Sequence, residues 1–452
     1  MFYTKNKKYF FFFLPLLFLF SATNSFAQKK KKNKTTDSTA QEDYYKDFFR
    51  YDNWTYKKNI RTVKLSRSGE EIGQPIIRLN SEDKLQLSFD DLDGDVKTYN
   101  YTLIHCDASW NVSGIMNSEF LSGFYDELIS EYKHSFNTLQ SYTHYNLVFP
   151  SETMKITKSG NYVVKVFADY NQDSFVLSRR FMVYEDLVET KAVIKKATDV
   201  LYSNYKQEID FTINSYGYNL TNPYSDLKVV ILQNGRWDNA NTTLKPMFVK
   251  DKELDYNYDD VNSFMGGSEF RRFDTKTYRY HSERIKDVVL DSATKLYKIL
   301  LLPDEKRAWK KYTSDYDMNG NFIVKVQEGN NSNVEADYVW VNFFVEASVP
   351  STDGNFYLFG AFTDWQCLSD FKMKYNSERF GYECTLLLKQ GYYNYEYVFL
   401  KDGETIADNT VIEGMHFETE NDYTILVYHR EIGGNYDKLI CVKHLNSAKN
   451  QN

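Results

Sequence analysis

Acidic and amide side chains between residues 315 and 320 follow the spacing of a calcium-binding loop. Asp315, Asp317 and Asn319 occupy alternate positions and a glycine follows, as in the first half of a loop that offers calcium a series of oxygen ligands. The twelfth position, where such a loop needs a bidentate glutamate, is Val326, and Glu328 arrives two residues late. The sequence therefore leaves two interpretations open, a calcium site and a polar turn between strands.

Two further groups have residue types that could bind a metal or move a proton. One is the acidic run Asp90, Asp91, Asp93 and Asp95; the other is His105, Asp107, His134 and His144. Neither is accompanied by a nucleophile motif such as Gly-x-Ser-x-Gly or by His-Glu-x-x-His. A solvated turn and hydrogen-bonded structural histidines are the favoured interpretations, so no catalytic site, metal site or cofactor is predicted.

A dense charge cluster lies at Glu269, Arg271, Arg272 and Asp274. Arginine beside aromatic residues is typical of protein interface cores. These four residues are therefore the candidates for partner binding, with a solvated salt-bridge network as the alternative.

Aromatic residues near the C-terminus could stack on sugar rings. They are Trp340, Trp365, Tyr392, Tyr393, Tyr395 and Tyr397. Packing inside a sandwich is the favoured interpretation for Trp365. If the chain is extracytoplasmic, Cys367 and Cys384 are the first candidates for a disulfide, and four buried free thiols are the other interpretation.

Composition indicates an all-β protein. Aromatics make up 17% of the chain, with 38 Tyr and 33 Phe against 7 Pro, and flat side chains favour strands. Residues 85–89 alternate apolar and polar side chains, and a second strand is expected over 97–106 after an acidic turn. This pattern predicts a β-hairpin. The net charge of −7 makes nucleic acid an unsuitable partner.

The N-terminus has the features of a secretory signal peptide. Three lysines precede the apolar run 10–20, and Ser25-Phe26-Ala27 forms a small-x-small cleavage site. We expect a cleaved signal peptide at 1–27 and a disordered basic and polar tail at 28–50. No later segment is apolar enough to span a membrane, so a membrane is expected to be reached only through a partner.

Turn residues divide the remainder into three tandem β-sandwiches, immunoglobulin-like or early-set-like. They are expected at 51–190, at 191–346 with a long insert at 239–283, and at 347–445, followed by a tail at 446–452. The stretch GNFYLFGAFTDW, residues 354–365, is similar to the signature of starch- and glycogen-binding modules.

Nine short segments in order resemble one family, the plug protein of the type IX secretion system of Bacteroidetes. They are LSFDDL (87–92), HCD (105–107) with Trp110, YTHY (142–145), SGNY (159–162), RRFMV (179–183), QN (233–234) with RW (236–237), EFR (269–271) with FD (273–274), DYV (337–339) and KQGYY (389–393). The resemblance implies a non-catalytic, monomeric periplasmic protein. It would bind the periplasmic opening of the giant outer-membrane β-barrel translocon and seal it when no substrate passes. The alternative is a periplasmic or surface glycan-binding protein acting through the C-terminal module.

Overall fold

The computed structural model describes residues 48–449. It is 44% strand and 4% helix, with several separate sheets, which confirms the prediction of an all-β protein built from β-sandwiches. The expected signal peptide, most of the expected tail at 28–50 and residues 450–452 lie outside the described residues. None of the helices within 48–449 has the length and apolarity needed to cross a bilayer.

The first part of the chain folds into what we call the first sandwich. Its strands are β1 (Trp54–Thr55), β2 (Ile60–Arg67), β3 (Ile76–Arg78), β4 (Leu85–Asp91), β5 (Tyr99–Cys106), β6 (Leu121–Gly123), β7 (Asp126–Leu128), β8 (Glu131–His134), β9 (Thr143–Phe149), β10 (Met154–Ile156), β11 (Gly160–Ala168) and β12 (Phe175–Tyr184). One sheet has the order β1-β12-β11-β5-β7, with β3 beside β12, and the other has the order β2-β4-β9-β8. Their inner faces enclose an apolar core that includes Leu87, Phe89, Tyr145, Val164 and Phe181.

The predicted hairpin of β4 and β5 is wrong, although both strands exist. β4 pairs with β2 and β9, whereas β5 pairs with β11 and β7 in the facing sheet. The acidic segment between them therefore crosses from one sheet to the other. The reason is that β4 and β5 both direct apolar side chains into the same core, which they can do from opposite sheets.

The rest of the chain contains seventeen strands within the described residues. They are β13 (Glu189–Lys196), β14 (Lys206–Asn214), β15 (Leu227–Gln233), β16 (Phe248–Lys250), β17 (Glu253–Asp255), β18 (Ser263–Met265), β19 (Arg271–Asp274), β20 (Ile285–Leu290), β21 (Tyr297–Leu301), β22 (Phe322–Val324), β23 (Tyr338–Glu346), β24 (Gly354–Phe359), β25 (Lys374–Asn376), β26 (Gly381–Lys389), β27 (Gly391–Lys401), β28 (Asp422–His429) and β29 (Lys438–Asn446). Short helices occupy Asn117–Phe120, Pro223–Asp226 and Ser332–Glu335, and 3-10 turns occupy Ala361–Thr363 and Ser369–Phe371.

Strand pairing brings distant parts of the chain together. The middle sandwich combines β13-β14-β17-β16, with β18 beside β14, and the sheet β15-β28-β29. The third sandwich combines β20-β21-β23-β26-β25 and β19-β27-β22, with β24 beside β27. Pairing of β23 with β26 thus joins strands on either side of the boundary expected at residue 346, and the expected insert 239–283 holds four short strands.

The first and middle sandwiches pack sheet against sheet. Cys106, Trp110 and Met182 of the first sandwich share an apolar cluster with Leu232 and Tyr428 of the middle sandwich. β15 and β28 are consequently buried on both faces, which explains why their sequences are nearly continuous apolar runs. The described residues fall within one compact unit.

Candidate functional site

A buried ion pair joins the first and third sandwiches. Asp90, near the end of β4, is 1% exposed, and its Oδ2 lies 2.6 Å from Nζ of Lys389 on β26. The Tyr338 hydroxyl on β23 donates to the same oxygen at 2.7 Å. His144 Nδ1 on β9 lies 2.7 Å from Asp90 Oδ1. We call these four residues the Asp90 cluster.

Electrostatics favour the ionised form of Asp90 despite its burial. Burial alone would raise the pKa of Asp90, but the Lys389 ammonium and His144 hold it below its usual value. Burial lowers the pKa of Lys389, against the opposing effect of Asp90. The Tyr142 ring lies 4.1 Å from Lys389 Nζ and adds cation–π stabilisation. Because Asp90 belongs to the first sandwich and Lys389 to the third, this buried ion pair holds the two sandwiches in one relative position.

Four of the sequence segments on which the family resemblance rests meet at this interface. Asp90, His144, Tyr338 and Lys389 come from four separate segments. Asp337, beside Tyr338, accepts backbone N–H bonds from Leu139 and Gln140 at 2.7 and 3.1 Å. Sequence spacing could not reveal this convergence, because up to 299 residues separate the partners.

Two of the histidines that could bind a metal or move a proton, His105 and His144, have structural contacts. His105 is 1% exposed, with Nδ1 2.8 Å from Ser113 Oγ and Nε2 3.1 Å from the Ser159 carbonyl. Burial lowers the pKa of His105 to about 4. Asp107 caps a turn by accepting the backbone N–H of Ser109 at 2.8 Å. The favoured interpretation of structural histidines fits these contacts.

The acidic run beyond Asp90 forms a carboxylate cluster that a lysine neutralises. Asp91, Asp93 and Asp95 are the group within 48–449 whose oxygens lie close enough to hold a metal. Lys97 Nζ lies 2.9 Å from Asp91 and 3.5 Å from Asp95, and it also contacts Asp93. Its ammonium already supplies positive charge to these carboxylates. The acids therefore stabilise the crossing between the two sheets.

The residues of the candidate calcium loop each have a protein partner. Asp315 pairs with Arg272 at 2.5 Å. Asp317 accepts the backbone N–H of Asn319 at 2.7 Å and that of Phe270. Asn319 donates to Asp422 at 2.9 Å. A Cβ on the next residue, Gly320, would overlap the Trp365 ring; these contacts are those of a packed polar turn, and a calcium ion here would have to compete with them.

Asp317 gives this turn a pH dependence. Burial raises its pKa from 3.8 to about 7, so the folded chain holds a proton there that the unfolded chain releases near pH 4. This group therefore lowers stability as pH rises from about 4 to about 7. The Asp317→Asn variant cannot titrate at this position, so its stability should not fall in this way. The free energy of unfolding of the variant minus that of the wild type should therefore increase between about pH 4 and about pH 7, by up to about 1.4 kcal/mol per pKa unit. Chemical denaturation of both proteins at a series of pH values measures this difference in free energy of unfolding. A difference that does not change with pH would contradict the raised pKa of Asp317.

The candidate partner-binding residues lie on and beside β19, and two of them face inward. Arg271 pairs with Asp304 at 2.8 Å and with Glu413 at 3.0 Å. Glu269 is 4% exposed and accepts the Tyr312 hydroxyl at 2.5 Å. A partner surface cannot reach these two side chains without breaking those bonds.

The other two candidate residues remain partly accessible. The Arg272 side chain is 21% exposed and pairs with Glu283 at 3.0 Å. The Asp274 side chain is 18% exposed and pairs with Lys276 at 3.0 Å. A contact between the cluster and a partner stays a prediction for Arg272 and Asp274.

Trp365 packs between the sandwiches. Its ring lies 5.5 Å from Phe359 and 5.9 Å from Phe270, and the Arg236 guanidinium lies 5.0 Å from it. Arg236 also pairs with Glu396 at 3.3 Å and so links the middle and third sandwiches. These contacts agree with the packing interpretation of Trp365.

All four cysteines are free thiols in the structure, which has no bond between the candidate pair Cys367 and Cys384. Cys384 belongs to the main core of the third sandwich, and its sulfur lies 3.7 Å from the Asp370 carbonyl. Cys367 packs in a separate small cluster with Tyr357 and Phe359. Burial raises the pKa of both thiols to about 12, which keeps them protonated and unreactive.

A cavity of about 250 Å³ lies where the three sandwiches meet. Its lining includes Arg179 of the first sandwich, Trp237 of the middle sandwich and Asp364 before Trp365. Arg179 Nη2 lies 3.0 Å from Asp364 Oδ2, and so ties the first sandwich to the third. The third sandwich is thus held to each of the other two by a buried or half-buried polar contact, and an apolar cluster joins the first and middle sandwiches.

Both the sequence and the fold are similar to known proteins. Residues 60–185 match the family described as type 9 secretion system plug protein, first domain, a span that coincides with the first sandwich. The whole fold is similar to the crystal structure of a hypothetical protein from Parabacteroides merdae ATCC 43184. The two chains share 31% identity with a TM-score of 0.85, over 88% of this chain and 100% of that one. No functionally curated protein is significantly similar.

Proposed function

Because the chain belongs to the plug protein family of the type IX secretion system, we propose that it binds the periplasmic opening of the outer-membrane β-barrel translocon. There it seals the pore while no substrate passes. It acts in the periplasm as a monomer, after removal of the signal peptide, and without catalysis.

The observation that carries this proposal is the way the three sandwiches are joined. A wide pore is closed by a body that keeps its shape under contact with the pore wall. Three buried links supply that rigidity: the Asp90–Lys389 pair, the Arg236–Glu396 pair and the apolar cluster between the first and middle sandwiches. Breaking such links leaves buried charges or cavities, which is costly.

Affinity purification from outer membranes in mild detergent tests the partner. The tagged wild-type chain should recover a very large β-barrel, and an unrelated exported protein with the same tag should not.

Uptake of a hydrophilic dye tests whether the protein seals the pore. Deletion of the gene should raise uptake and reintroduction of the wild type should reverse it. A deletion strain that stays impermeable, together with a purification that recovers no barrel, would refute the proposal.

A further inference from the structure

Three apolar side chains project into solvent from two neighbouring loops. Val200 and Leu201, at the turn between β13 and β14, are 85% and 77% exposed, and Trp309, in loop 303–319, is 95% exposed. We call these three residues the Trp309 surface. Exposed aliphatic residues scattered singly are ordinary, but three large ones at loop tips require an explanation.

The two loops lie side by side through a third segment. The Arg307 N–H donates to the Ile412 carbonyl at 2.8 Å, and the Phe417 N–H donates to the Asn204 carbonyl at 2.9 Å. The Tyr312 ring lies 5.7 Å from the His416 ring. Residues 412–417 therefore connect the base of the Trp309 loop to the base of the 200–201 turn, which makes the two loops neighbours.

Positive charge surrounds the exposed tryptophan. Residues 305–311, EKRAWKK, hold four cations and one acid, in a chain whose net charge is −7. Lys310 pairs with Glu305, and Arg307 pairs with Glu413 at 2.6 Å. Lys306 and Lys311 have no ion-pair partner among residues 48–449.

Tryptophan, aliphatic tips and unpaired lysines together match the chemistry of a membrane surface. Tryptophan partitions to the boundary between headgroups and hydrocarbon. Lysines beside the boundary attract anionic headgroups while their stems lie along apolar groups. A protein partner would instead favour apolar anchors within a flatter, central patch, whereas these side chains are on projecting turns.

We propose that the Trp309 surface inserts into the interface of a bilayer that contains anionic lipid. The chain would then contact the membrane directly, in addition to any contact through a partner, which differs from the expectation drawn from the sequence. The proposal does not depend on the translocon, since it concerns lipid alone.

Sedimentation with vesicles tests the proposal on the purified chain. Wild type should bind vesicles of phosphatidylethanolamine with phosphatidylglycerol, bind pure phosphatidylcholine vesicles more weakly, and dissociate as salt rises. Trp309→Ala and Leu201→Asp should abolish most binding. The substitutions Lys306→Gln and Lys311→Gln should each weaken it about fivefold.

Tyr216→Ala is the matched control. Tyr216 is 75% exposed but follows the far end of β14 from the 200–201 turn, so this variant should bind like wild type. Intrinsic fluorescence adds a second readout, since Trp309 is the tryptophan with the greatest exposure. Vesicles should shift wild-type emission to the blue, and Trp309→Phe should lose that shift while still sedimenting. The proposal is overturned if the wild type does not bind vesicles that contain phosphatidylglycerol, or if Tyr216→Ala reduces binding as much as Trp309→Ala does.

Discussion

Replacement of Lys389 by methionine should lower the free energy of unfolding by about 3–5 kcal/mol. Lys389 and Asp90 are each 1% exposed. Without the ammonium, the Asp90 carboxylate would remain buried with only the hydroxyl of Tyr338 and His144 beside it. An uncompensated buried charge accounts for most of the expected loss. Denaturant unfolding followed by circular dichroism measures it.

Two variants separate this effect from loss of a lysine in general. Lys155→Met removes an exposed pair, since the Lys155 side chain is 59% exposed and lies 3.1 Å from Glu152; its effect should stay within about 1 kcal/mol. Adding Asp90→Asn to Lys389→Met should recover part of the loss, because no buried charge is then unpaired. An equal loss in the Lys155 and Lys389 variants would show that the interdomain pair contributes little.

Replacement of Asp304 by asparagine should destabilise the third sandwich by about 3 kcal/mol or more. Asp304 Oδ1 lies 2.8 Å from both Arg271 and Arg284, and Oδ2 accepts the hydroxyls of Tyr395 and Tyr397 at 2.7 and 2.8 Å. Asparagine removes the negative charge opposite Arg271 and offers an amide group where an acceptor is needed. Thermal and denaturant unfolding both report the change.

Asp315→Asn is the natural comparison for that experiment. Asp315 also pairs with an arginine of β19, Arg272, but its side chain is 52% exposed. Water screens such a pair, so the expected effect is below about 1 kcal/mol. If Asp304→Asn were as mild as Asp315→Asn, the buried network around Arg271 would not be a source of stability.

Strand positions could be predicted from the sequence much better than strand partners. The sequence predicted strands at 85–89 and 97–106, and the structure has β4 at Leu85–Asp91 and β5 at Tyr99–Cys106, because alternation of apolar and polar side chains is a local property of the chain. Pairing depends on which core each strand faces. β4 and β5 showed a turn-like acidic link, yet Asp91 uses that link to bind Lys97 at 2.9 Å across a sheet-to-sheet crossing.

The candidate site shows the same limit. The charge cluster near 269–274 was correctly recognised as dense, but its orientation depends on Asp304 and Glu413, which are distant in sequence and carry no local signal. The ordered segments identified the family without revealing that Asp90 and Lys389 contact each other. The turn tips at Leu201 and Trp309 were missed, because a single apolar residue in a loop gives no periodic pattern.

The order of strands in the middle sandwich has a consequence for how the chain is made. β15 pairs with β28, and β28 pairs with β29. β28 begins almost two hundred residues after β15 ends, and the whole third sandwich is synthesised between them. During translation the middle sandwich therefore stays unfinished until the last strands emerge, whereas the first sandwich can close early. A chain that ends before β28 therefore leaves the backbone groups along one edge of β15 without their strand partner, and an unpaired strand edge is a site of aggregation.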